Sequence, residues 1–512
     1  MSEIKNREFD IIIFGATGYT GRYVIEELAH SSKSIDIKWA IAGRNKEKLK
    51  ESLDIVKEYL GQEIDISKTP MIEADVKSDT SLSNMCKRAK LILNCVGPYK
   101  LFGEPVIKAC LENGTHHVDI SGELKFLEET QIKYFDAARE KNVYIVGACG
   151  FDSIPGDYGM TLLKKHFPGD LNSVEYYISI GVGPEGRSTN IGTFLSAVYS
   201  FWDNMFVKEA DIALKEKLFK EDLPSPKYQL LMIKLPPLSY ISEEKGWGLW
   251  FLGPDERVIL RSQLFRHNYL KERPILSHGY MKLSSFFTGL LLIMFAGFFG
   301  FMTSFSFGRY LLAKYPSFFT AGVFSSTGPT RKQVMEGSTK LTLYGLGWKE
   351  KLSDPTDQHT TKPDTRMKLT IRGPEPAYPL TALCMVQAGL TILQDQDKLP
   401  LEGGVLTPGV AFANTSLKQR LENRGMTFEF ETLTRKPWNC GVEALKFRSK
   451  AEEPAYALTA KCMVNAGLTI LLEKDKLPLE GGVLSPGVAF AKTSLEERLK
   501  KRGMTFEFEN IN

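Results

Sequence analysis

Residues 9–14, FDIIIF, form an unbroken apolar run, the pattern of a parallel strand buried on both faces. The run stops at Gly15. A helical pattern follows over Arg22–Ala29, with Val24, Ile25 and Leu28 on one face. Further apolar runs at Trp39–Ala42, Leu91–Val96, His117–Ile120 and Val143–Val146 alternate with helix-like stretches at Lys46–Lys57, Ser81–Ala89 and Pro105–Asn113. This rhythm predicts βαβ units and an α/β fold: a Rossmann-like, doubly wound parallel sheet up to about Gly150. From Ser173 the pattern changes. Val174–Gly181 alternates like a half-exposed strand, Thr193–Phe201 reads as a helix, and Thr339–Tyr344 and Met367–Arg372 read as strands of a second α+β domain. The stretch 203–280, broken by prolines, yields no assignable elements.

Two features interrupt this plan. Residues 283–307 carry eight phenylalanines and no charge, between Lys282 and Arg309. As one helix they would measure about 37 Å, enough to cross a bilayer core. Basic residues at both ends favour neither orientation, and the later strands look too few to form a sheet of their own. The expectation is therefore a lipid-embedded segment that bends near Gly297 and Gly300 without spanning; the competing readings are a transmembrane helix and a buried core helix. The second feature is a tandem repeat: residues 375–431 recur at 453–509, offset by 78, with 45 of 57 positions identical. One socket cannot hold both copies equivalently, and the first is expected to fill it. The expected organisation is 1–155 dinucleotide-binding, 156–282 and 325–431 forming the second domain, 283–324 membrane or droplet segment, 432–452 linker, and 453–510 duplicate.

The chemistry begins at the first turn. Gly15-Ala16-Thr17-Gly18-Tyr19-Thr20-Gly21 follows a strand and opens a helix, the setting of a dinucleotide fingerprint. Gly15 permits the turn, Gly18 admits a pyrophosphate, and Gly21 lets the helix pack on the strand. The second strand ends in Ala42-Gly43-Arg44, with no acid for a ribose 2′-hydroxyl. Arg44 suits a 2′-phosphate, so NADP is expected over NAD. Asp75 is a candidate for adenine or an exposed loop aspartate. Val96 and Gly97 border the cofactor crevice; Tyr99 beside them is a proton donor or a packed ring. His116 and His117 lack a third metal ligand. Asp119, Ser121, Glu123 and Asp152 either line a substrate cleft or cap turns. No nucleophile triad, metal motif or Walker sequence is present, and no catalytic acid stands out.

Composition narrows the class. At 512 residues, 43% hydrophobic and 25% charged, the chain is globular, and a net charge of +4 gives no case for nucleic acid. Seven scattered cysteines without paired spacing indicate free thiols in a reducing compartment.

Read in order, FGATGYTG, AGR, NCVGPYKLFGEPVIKAC, DISGE and GFDSIPGDYG resemble the saccharopine dehydrogenase-like oxidoreductases, including lipid-droplet-localised animal members, over about residues 8–431. More distantly the chain is similar to bacterial trans-acting enoyl reductases of glycolipid synthesis. The resemblance implies an NAD(P)-binding Rossmann domain, with Gly15 to Gly21, Arg44, Val96 and Gly97 as cofactor residues, and association with a lipid droplet or the cytosolic face of a membrane. The fingerprint, Arg44 and the apolar segment point to an NADP-dependent oxidoreductase acting on a lipid-like small molecule; the competing reading is a non-catalytic droplet or membrane protein with a structural or cofactor-sensing Rossmann domain. A homodimer is left open. The family carries the EPAY…GGVLTPG unit once, and true saccharopine reductases lack the Phe-rich segment, so an amino-acid substrate does not transfer.

Overall fold

A computed structural model describes residues 6–433 apart from 206–207, 225–226, 229–235, 252 and 355–356. Beyond 433 it describes 445–450, 464–466, 468–470, 472–473, 493–501 and 505–510. The chain divides into two units, 1–435 and 436–512.

In the first unit, strands β1 (Phe9–Phe14), β2 (Trp39–Gly43), β3 (Met71–Glu73), β4 (Ala89–Asn94), β5 (His116–Asp119) and β6 (Tyr144–Val146) pair in parallel in the order 3-2-1-4-5-6. Helices α1 (Tyr19–Ser31), α2 (Lys46–Leu60), α3 (Asp79–Arg88), α4 (Tyr99–Glu112) and α5 (Leu124–Glu140) make the crossovers. Alternate strand residues enter two cores: Ile11, Ile13, Leu91 and Leu93 on one face, Ile12, Phe14, Ala42 and Ile92 on the other. This is why the sequence reads as continuous apolar runs.

The second sheet has strands β7 (Asp170–Gly181), β8 (Leu238–Ile241), β9 (Gly246–Trp250), β10 (Leu276–Leu283), β11 (Ser338–Trp348) and β12 (Thr365–Pro374). The chain then leaves it. Strand β13 (Gly404–Leu406) lies parallel to β6 and completes a seven-stranded first sheet, and β14 (Thr427–Leu433) returns to pair with β12. The second sheet therefore runs 14-12-11-7-10-9-8. The expected partition, with 325–431 wholly in the second domain, is corrected here. A short apolar strand pairs wherever an edge is free, and the edge of β6 is free until GGVL arrives.

Helix α6 (Ile191–Met205) contains the expected helix Thr193–Phe201, whereas α7 (Asp255–Leu270) lies in the stretch that the prolines obscured. Helix α7 gave no apolar stripe because it buries charge: Arg261 donates to Gln131 at 2.9 Å and Arg266 to the Gly409 carbonyl at 2.6 Å, both deep in the core.

The Phe-rich segment forms α8 (Phe286–Thr303), eighteen residues or about 27 Å, then breaks at Ser304–Phe305 and continues as α9 (Ser306–Lys314). The bend is not at Gly297 or Gly300. Both glycines lie inside an unbroken helix, and at Gly300 an added Cβ would stand 2.9 Å from the Phe201 ring. Gly300 is there for close packing of α8 on α6, so the expected hinge is corrected. A second apolar helix, α10 (Thr381–Gln394), is buried through most of its length against α1 and strand β4.

In the second unit, Leu445–Lys450 pairs antiparallel with Thr505–Asn510, and Leu495–Lys501 is helical. Part of the expected linker 432–452 is thus a strand. Position 446 pairs with 509 in the backbone register as 368 pairs with 431, the same register displaced by 78 residues. The Ser494 amide donates to Glu473 as Ser416 does to Asp395, again 78 apart. The duplication therefore begins at the strand before EPAY. Residues 464–466, 468–470 and 472 of the second copy are helical, and 451–463 and 474–492 lie outside the described residues.

Candidate functional site

The fingerprint is a cradle that only glycine fits. Gly15 has φ +87°, and a Cβ there would approach Val96 Cγ2 to 2.9 Å. Gly18 caps α1 with its amide on the Gly15 carbonyl at 3.0 Å. At Gly21 a Cβ would lie 2.4 Å from that carbonyl oxygen. The turn is thus pressed against Val96 on one side and its own helix on the other. That leaves the N-terminus of α1 open to an anion. The cradle fits a pyrophosphate. Gly43 brings β2 against Thr17, and the exposed Arg44 follows at the strand end, where a ribose phosphate would lie. Bound there, a nicotinamide dinucleotide would supply hydride chemistry to the crevice.

Tyr19 is engaged elsewhere. Its hydroxyl donates to the Pro329 carbonyl, its ring lies 4.6 Å from Tyr378, and burial raises it to about 12. Residues 324–331 strap this end of α1: Arg331 pairs with Glu26 at 2.8 Å and stacks over Tyr59 and Tyr23. Asp75 closes a local turn on Lys77 N.

At the other end of the crevice, most candidate groups are structural. Asn94 accepts from Val96 N at 3.1 Å. The Tyr99 hydroxyl, buried, donates to the Asn94 carbonyl at 2.8 Å, which fits a packed ring. Glu123 caps α4 by accepting from Tyr99 N and Lys100 N, each at 2.8 Å. Asp119 accepts from Ser121 N and Ala148 N; burial lifts it to about 7. His116 accepts from Tyr144 N, and desolvation holds the two histidines near 4 and 3, neutral at physiological pH. No metal-binding group of three ligands occurs among the described residues.

Asp152 differs. Its carboxylate reaches solvent yet is walled by protein, and this desolvation raises it to about 6 against the opposing field of Arg187. It stands beside Gly122, beyond β5 and β6, in the crevice where α/β sheets bind ligands. Helix α6 closes the site: Ser196 Oγ comes within 3.7 Å of the position of a Gly97 Cβ, and the Tyr199 carbonyl accepts from Lys100. On its far side α6 packs Phe194 and Phe201 on Phe299 of α8, with centroids 5.6 and 5.2 Å apart. One helix joins the crevice to the apolar segment. Sequence reasoning missed Arg187 and Asp255, because each lies on the second domain and only the tertiary fold brings it here.

A doubly wound sheet with this glycine cradle is the architecture of a dinucleotide-binding domain. Residues 11–146 match the family model described as the saccharopine dehydrogenase NADP binding domain. The chain is 41% identical over 429 residues to a human saccharopine dehydrogenase-like oxidoreductase, covering 83% of this chain and 97% of that one. It is 37% identical to a lipid droplet localized protein of Caenorhabditis elegans (83% and 98% covered) and 27% identical to a trans-acting enoyl reductase of Mycobacterium bovis (82% and 97%). The chain belongs to the saccharopine dehydrogenase-like oxidoreductase family, and its cofactor is NADP.

Proposed function

We propose that this protein uses NADPH to reduce a lipid-like substrate at the surface of a lipid droplet or a membrane. The observation that carries the reading is the exposure of α8 combined with the course of the chain around it. Phe287, Leu291, Met294 and Phe301 are exposed on an eighteen-residue helix without charge, a patch that a water-facing surface does not tolerate. Strand β10 before α8 and strand β11 after it both pair with β7. Both ends of the helix return to one sheet, and a sheet cannot be shared across a bilayer. The helix therefore lies in one leaflet or monolayer. Lys282, Arg309 and Lys314, with the exposed Tyr310 and Tyr315, stand where an interfacial belt is expected. The droplet localisation in the name of the worm relative and the enoyl reduction in that of the mycobacterial one agree with this reading.

Lipidomics of a null cell tests it, with wild-type and Gly18→Asp proteins as add-backs. An aspartate at the α1 cap would repel the pyrophosphate. Wild type should restore the lipid profile and Gly18→Asp should not. Restoration by both would favour a non-catalytic droplet protein.

A further inference from the structure

The crevice contains six carboxylates from the loops after β5 and β6, the start of α7, and the segment before α10. Five are committed or sealed. Asp119 and Glu123 hold backbone amides, and Glu375 accepts from Tyr378 N at 2.9 Å. Asp157 accepts from Ser262 Oγ at 2.8 Å and from Gly409 N at 2.7 Å. Asp255 is 2% exposed, and its Oδ2 has no hydrogen-bond partner among the described residues. The Asp152 carboxylate alone among them both reaches solvent and has no hydrogen-bond partner among the described residues; only the Asp152 backbone carbonyl is engaged, by Ser153 Oγ at 2.7 Å. Its Oδ2 is 3.4 Å from the position of a Gly122 Cβ, and Cγ of Pro254, the residue before Asp255, is 3.5 Å from the same point.

The charges around it come from three elements. Arg187, on the loop after β7, is exposed, has no partner among the described residues, and lowers Asp152, Glu375 and Tyr378 through its field. Asp255, at the start of α7, is held well above the carboxylate range by burial, and next by the charge of Asp152. Asp119 and Glu123 flank Gly122 on the β5 loop, their charges spent on amides. A buried acid behind an open one is the arrangement that keeps a proton in the site.

We propose that Asp152 is the proton donor of the reduction and that Arg187 holds the oxygen-bearing head of the substrate, a long-chain acyl or carbonyl lipid whose tail leads along α6 toward α8. This rests on the reductase reading above. The cofactor, when bound, supplies two electrons as hydride. The hydride forms a C–H bond as the π bond of a C=O or C=C group breaks, and the matching proton leaves the Asp152 carboxyl, whose O–H bond breaks as an O–H or C–H bond forms at the other atom of that group; the aspartate regains a proton from water. Proton donation is therefore available below about pH 6 and is lost as pH rises through it.

The test uses the full chain with NADPH binding verified by nicotinamide fluorescence. Dicyclohexylcarbodiimide, an apolar reagent that couples to protonated carboxyls, is applied between pH 5 and 8 and its adducts are mapped by mass spectrometry. The expected result is an adduct at Asp152 that falls at least fivefold from pH 5 to 8, is blocked by NADPH, and shifts its midpoint upward in Arg187→Ala. In the null cell, Asp152→Asn should fail to restore lipids while keeping wild-type melting and NADPH affinity. An absent adduct, one indifferent to NADPH or Arg187→Ala, or lipid restoration by Asp152→Asn, overturns the proposal. If Gly18→Asp restores lipids too, it is the reductase reading that falls.

Discussion

Glu175 carries a cost that its neighbours only partly offset. On β7 it accepts from the Tyr177 hydroxyl at 3.0 Å through one oxygen, while the other is buried without a hydrogen-bond partner among the described residues, and burial raises it to about 8. Its folded value lies above its unfolded one, so its contribution is complete below about pH 4.5 and is lost as pH rises through 8. Glu175→Gln removes the charge and keeps the hydroxyl contact. It should stabilise the protein at pH 8 by on the order of 3 kcal/mol and change little at pH 4.5, as read by urea unfolding at both values. An equal effect at both would show that the carboxyl does not titrate in this window. At Arg44 the expectation concerns cofactor choice. An arginine–phosphate pair is worth about 1.5–3 kcal/mol, so Arg44→Ala should weaken NADPH roughly ten- to a hundredfold and leave NADH unchanged in fluorescence titration. The glycine cradle and Arg44 were legible in the sequence because one short strand–turn–helix places them all. Arg187 and Asp255 were not, since each owes its position to a sheet built from distant segments.

Among the elements, the parallel strands announced themselves, while α7 stayed hidden. Strands buried on both faces need apolar residues at every position. Helix α7 instead meets buried partners on several sides and satisfies its arginines with Gln131, Glu272 and the Gly409 carbonyl. Helix α8 was legible as apolar, but its bend was misplaced because glycine in a sequence does not distinguish a hinge from a contact. For α8 the prediction is about lipid. Phe287, Leu291 and Phe301 are 74%, 61% and 65% exposed, so their replacement by glutamate removes no core packing. The triple variant should float with droplets or phosphatidylcholine vesicles at less than a tenth of the wild-type fraction, with melting unchanged. Equal flotation would place the lipid contact elsewhere.

In the whole molecule, the first repeat copy is structural. Helix α10 lies against α1, where Gln387 donates to Glu27 and Ser31, each at 2.9 Å, and β13 closes the first sheet. A chain ending after Arg435 keeps β14 complete. It should melt within about 2 °C of the full protein and bind NADPH equally. Deletion of 375–431 should abolish cooperative unfolding, because both sheets lose a strand and the first core loses α10. If the two deletions behave in reverse, the second copy is the one the fold requires. The repeat itself was visible in the sequence. That the first copy reaches back into the first sheet was not, because a three-residue strand carries too little pattern to name its partner.

Strand β13 also sets a timetable for synthesis. Translation at about 5–20 residues per second delivers Gly404 some 13–50 s after Val146, so the edge of β6 stays open while most of the chain is still being made. An open parallel edge is a site for wrong pairing, and this interval is where the nascent chain depends most on chaperone cover. The duplicate GGVL at 481–484 emerges about 4–16 s later still. By then the edge has been taken by the first copy. Order of arrival on the ribosome therefore favours the first copy.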